Sequence, residues 1–123
     1  MFVASRSRPA DCVTLGSFSG HVRARPAAVF AALEARYGPS GTVKIRRHYF
    51  ANGPAFFILV QGVWWYRAEY RVIADESGSN VEHAQLFVAT RARKLARLFG
   101  KRVAAAAPTE FATVLRQLRL ELE

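Results

Sequence analysis

The sequence predicts an α+β fold: a curled antiparallel β-sheet of about five strands gripping a long C-terminal helix, with one short helix after the first strand. Two stretches, 12–24 and 42–90, are rich in β-branched and aromatic residues and are cut by Gly, Asn, Pro and Ser at turn-like intervals. Between them a short segment carries apolar residues at helical spacing, and from Thr90 to the end the period stays at 3.6. A length of 123 residues with 51% hydrophobic and 22% charged residues suits one core, so 12–123 reads as a single domain and 1–11, polar and containing Pro9, as a flexible lead-in.

The first strand is expected in CVTLGSFSGHVRA, Cys12 to Ala24. Val13 and Leu15 lie on one parity and Phe18 and Val22 on the other, so a bulge near Gly16 or Gly20 is required. Pro26 then opens PAAVFAALEARYG, where Val29, Phe30 and Leu33 share one helical face and Gly38-Pro39 ends the segment. Thr42 to Ala51 reads as a strand. The proline at position 54 has no amide hydrogen to close a two-residue Asn-Gly hairpin, so a three-residue loop pairing Ala51 with Ala55 is favoured. Gln61-Gly62 is expected to turn the chain into Val63 to Ala74, and Glu76 to Ser79 to lead into a last strand, Asn80 to Thr90. Beyond it, Leu95, Phe99, Val103 and Ala106 are expected on one helix face. Phe111, Val114, Leu115, Leu118 and Leu122 follow on another, after a kink or break at Pro108.

Side chains alternate across a strand, so these turns sort the aromatic residues by face. The inner face is expected to carry Val43, Ile45, Arg47 and Tyr49, then Phe57 and Leu59, then Trp64, Tyr66 and Tyr70, then His83, Gln85 and Phe87. A plain core would use Leu and Val where this face has Arg47, Tyr49, Tyr66, Tyr70, His83 and Gln85. Polar tips in an apolar wall suit a small-molecule cavity, although such tips also fit a core whose polar ends reach the sheet margin. Phe56, Ile58, Val60 and Trp65 fall on the outer face beside Arg67, Glu69, Arg71 and Glu82, and are expected to form a homodimer contact or to lie beneath the N-terminal segment.

The strand-to-helix stretch HVRARPAAVFAAL, the aromatic run VQGVWWYRAEYRV and the long final helix together resemble the SRPBCC superfamily, the START-like, helix-grip group of polyketide cyclases and lipid-transfer domains. The likeness runs from about Val13 to Leu122. It implies a hydrophobic pocket between sheet and C-terminal helix that takes lipids or polyketide-like molecules, and it carries over no catalytic residue. The chain is shorter than typical members, which implies a pocket that is small or partly filled by its own aromatics.

The function expected is therefore binding or transport of a hydrophobic or amphipathic small molecule. Its walls would be Phe57, Leu59, Trp64, Tyr66, Tyr70 and Phe87, with Phe99 from the helix, and Arg47, Tyr49, His83 and Gln85 would orient a polar group. An alternative is a cyclase-like enzyme in which His83 and Tyr70, near-opposite on the inner face, act with Arg47 to polarise and deprotonate a carbonyl substrate. No cofactor motif is present, and His21, His48 and His83 sit on separate strands without a second ligand at metal-site spacing.

A formal charge of +9 favours anionic partners. The run RARKLARLFGKR concentrates Arg91, Arg93, Lys94, Arg97, Lys101 and Arg102 without an acid, suited to anionic lipid headgroups or, in a third reading, to a basic RNA- or ribosome-associated module. The single Cys12 permits no internal disulfide, and the longest uncharged apolar run, Ala55 to Tyr66, is too short to span a bilayer, so a cytoplasmic protein is expected.

Overall fold

A computed structural model describes residues 8, 12–38, 48–63, 66–89 and 93–123, with the side chains at 48, 62 and 63 outside that description. The elements run β1 (Val13–Val22), α1 (Pro26–Tyr37), β2 (His48–Asn52), β3 (Phe57–Val63), β4 (Tyr66–Asp75), β5 (Gly78–Phe87) and α2 (Arg93–Leu122). All strands are antiparallel, in the order β1-β5-β4-β3-β2, so the first strand closes the far side of a meander and both helices cover one face. The α+β fold class is as the sequence predicts, and the arrangement is compatible with a helix grip.

Local chemistry accounts for the elements. In α1, Pro26 occupies the first turn, where its missing amide costs nothing, and Val29, Phe30 and Leu33 are buried. The register of β1 against β5 shifts between Thr14 and Gly16, which is the expected bulge. Past it, Phe18 and Val22 come to the helix-covered face. Gly20 is required there, because a Cβ at that position would lie 2.1 Å from Leu115 Cδ1; the bare backbone lets α2 settle onto β1.

The register of β3 corrects the sequence reading twice. Ala51 pairs with Ile58 rather than Ala55. The loop is a β-turn from Gly53 to Phe56, closed by the Phe56 amide donating to the Gly53 carbonyl at 3.0 Å. Pro54 therefore takes the second turn position that its fixed φ favours, and Asn52 Oδ1 accepts the Ala55 amide at 3.3 Å. Gln61-Gly62 is not a turn either: both residues continue β3, Val60 pairs with Ala68, and the chain reverses between Val63 and Tyr66. A one-residue change of parity exchanges the faces. Ile58 and Val60 consequently lie in the core, with Phe56, at φ 49°, packed on Phe30 at a ring distance of 5.6 Å. The homodimer patch expected from Phe56, Ile58 and Val60 is thus directed inward, and Trp65 lies outside the described residues.

α2 runs unbroken through Pro108 for 30 residues, about 45 Å. Its inward face is Ala96, Gly100, Val103 and Ala107, then Phe111, Val114, Leu115 and Leu118. The second set is as expected. On the first half the expected face is one residue out of step: Leu95, Phe99 and Ala106 face solvent, and only Val103 packs inward. Among the described residues no helix is long and apolar enough to cross a membrane.

Candidate functional site

Six of the expected site residues share the helix-covered face: Tyr49, Tyr66, Tyr70, His83, Gln85 and Phe87. Phe57 and Leu59 do not, because the β3 register turns them to the opposite face. Phe99 projects outward at 42% exposure. Arg47 and Trp64 lie outside the described residues.

At the centre of the face the side chains form an aromatic stack. Tyr70 and His83 pair across strands with rings 4.2 Å apart, Tyr37 of α1 stacks on Tyr70 at 4.8 Å, and Phe111 of α2 stacks on His83 at 5.5 Å. The polar tips are engaged within the protein. Tyr70 donates to the Tyr37 hydroxyl at 2.9 Å, Tyr49 to Glu34 at 3.1 Å, and His83 Nδ1 lies 3.1 Å from the Glu69 carbonyl. Burial lowers the His83 pKa to about 4, partly opposed by the Glu69 carbonyl, so the ring is neutral at pH 7. Burial also raises the Tyr70 and Tyr66 phenols, keeping both protonated. In this arrangement Nδ1 of His83 and the hydroxyl of Tyr70 each have a partner within the protein.

Gln85 differs. It is 2% exposed and hydrogen-bonds Tyr66 through one end of its amide, while its carbonyl Oε1 has no partner among the described residues. Its place under α2 follows from the strand repeat. Phe87 lies near Gly100, where a Cβ would be 3.9 Å from the ring, and His83 lies against Phe111. Gln85 lies between them on the same face of β5, and in α2 between Gly100 and Phe111 the residues turned from solvent are Val103, Ala104 and Ala107.

The opposite face carries a depression of about 640 Å³ bordered by Arg8, Ser17, Phe57, Arg71 and Glu82. Its floor is an ion-pair cluster that sequence reasoning assigned only to solvent. Arg67 is fully buried, its Nε 2.8 Å from Glu69 Oε2, and Arg8 reaches Glu69 Oε1 at 2.9 Å. The available signal was the Arg-x-Glu-x-Arg alternation of 67, 69 and 71, which puts opposite charges on one strand face. Because Glu69 engages both guanidiniums and Arg71 lies over the Phe57 ring at 5.3 Å, this floor is a stabilised ion pair more than a poised binding group.

Among the described residues no three His, Cys, Asp or Glu side chains converge to hold a metal ion. No family model matches the chain, and no curated protein does. A solved structure of an uncharacterized protein from Rhizobium leguminosarum is similar to it at 16% identity, covering 89% of this chain and 93% of that one, with a TM-score of 0.35.

Proposed function

We propose that the chain binds a small amphipathic molecule between its sheet and the N-terminal half of α2, in the manner of the START-like, SRPBCC group, as a lipid- or polyketide-binding carrier acting in the cytoplasm. The observation that carries the reading is the buried carbonyl of Gln85, without a partner among the described residues, on the sheet face that the helices cover. An acceptor left unpaired in a dry site costs about 1–3 kcal/mol, which a ligand hydroxyl or N–H recovers on binding. The small inward residues Ala96, Gly100 and Ala107 let this half of α2 lie close over Tyr66, Phe87 and Leu15, and in this reading a ligand enters by parting the helix from the sheet. His83 and Tyr70 have their polar ends engaged by the Glu69 carbonyl and Tyr37, which favours carriage over turnover.

The test is a thermal-shift series comparing long-chain alcohols, phenols and naphthols with hydrocarbons of matched size. Hydroxylated members are expected to raise Tm and their hydrocarbon counterparts to do so less, with the difference lost in Gln85→Leu. Equal shifts for both sets, or none, would overturn the proposal.

A further inference from the structure

The first half of α2 reverses the usual distribution of side-chain size. Its inward face is Ala96, Gly100 and Ala107, whereas Leu95, Leu98 and Phe99 are 51%, 60% and 42% exposed. These three lie at i, i+3 and i+4 and form one stripe with Arg102 at i+7. Beside it run Lys94, Arg97 and Lys101, also exposed, and among the described residues no ion pair engages any of these four cations. No acid occurs between Glu82 and Glu110. Arg93 is set apart from the group: its guanidinium donates to the Ala89 carbonyl at 2.7 Å and lies over Phe87.

We infer that this stripe docks the protein on an anionic membrane surface, with Leu95 and Leu98 entering the headgroup boundary and Lys94, Arg97, Lys101 and Arg102 meeting lipid phosphates. Charge complementarity selects the occupant. A second copy of this chain would bring the same four cations against themselves, and a nucleic acid would use the cations while leaving the exposed leucines wet. A lipid surface takes both, because apolar side chains flanked by cations match acyl chains under anionic headgroups. The surface is separate from the site beneath α2 and needs no ligand there.

The test is co-sedimentation of the full chain with vesicles of phosphatidylcholine, alone or mixed with phosphatidylserine, across a salt titration. Binding is expected only with phosphatidylserine, weakening as salt rises. Each of Lys94→Gln, Arg97→Gln and Lys101→Gln should lower the partition coefficient about five-fold. Leu95→Gln with Leu98→Gln should lower it about ten-fold or more while leaving the unfolding midpoint unchanged, since both side chains are exposed. Equal binding to neutral vesicles, no binding at all, or indifference to the Leu95 and Leu98 changes alongside tight binding to a single-stranded RNA would each overturn the inference. So would a concentration-dependent dimer abolished by those two changes. Because the assay is read without any small molecule, its failure leaves the proposal for Gln85 standing, and the converse also holds.

Discussion

His83 makes the stability of the fold sensitive to mild acid. In the native chain it is stacked between Tyr70 and Phe111 and buried, with a pKa of about 4, against about 6.5 for an unconstrained imidazole. Between those values the unfolded chain binds a proton that the folded chain refuses. Stability is therefore fully present above about pH 6.5 and falls as the pH drops toward 4. For these two pKa values the loss between pH 7.5 and pH 5 is about 2 kcal/mol, which in urea moves the midpoint by about 1 M for a domain of this size. The assay is urea unfolding of the wild type and of His83→Phe, which keeps a flat ring in the stack and removes the titration. The difference between the two across that pH range isolates His83 from His21, His48 and the carboxylates. The variant is expected to lose about 2 kcal/mol less than the wild type; equal losses would refute the reasoning, because His83 would then not be held neutral by burial.

Other expectations follow from single contacts. Gly20→Ala places a Cβ 2.1 Å from Leu115 Cδ1 and should cost about 1–3 kcal/mol by thermal denaturation, with non-additive recovery in the double variant with Leu115→Ala. Gly78→Ala meets the Val22 carbonyl at 2.5 Å in a backbone with φ of +145°, so about 3 kcal/mol or more should be lost and no side-chain change should restore it. Arg67→Met strips the buried partner from Glu69 and should cost up to about 3 kcal/mol by chemical denaturation, more than the pair Arg67→Met with Glu69→Leu, which removes both charges.

The helix α1 and the antiparallel sheet were legible because their signals are local: Pro26, Gly38 and the spacing of Val29, Phe30 and Leu33 for the helix, and Gly, Asn, Pro and Ser for the turns. Register was not, because it depends on where in its turn Pro54 sits. Both expected reversals around β3 were wrong by an odd number of residues, and the two errors cancel. Tyr49 and Tyr70 therefore reach the same face as expected, while Phe57 and Leu59 between them exchange places with Ile58 and Val60. Hydrophobic periodicity also misread the first half of α2. The close approach of that helix to the sheet needs Ala and Gly inside, and period alone cannot tell an apolar stripe that packs from one that is left exposed. The pairing of Tyr70 with His83 was readable from strand alternation. That the Gln85 carbonyl has no partner among the described residues was not, since satisfaction depends on where Tyr66 and its other neighbours lie.

The most direct measurement is native mass spectrometry of the chain purified from its own host, followed by denaturing extraction and identification of what is released. The account predicts one amphipathic molecule per chain, bearing a hydroxyl or N–H donor, and its absence from Gln85→Leu purified in the same way. A chain that emerges empty, or that carries the same molecule with and without Gln85, would contradict it.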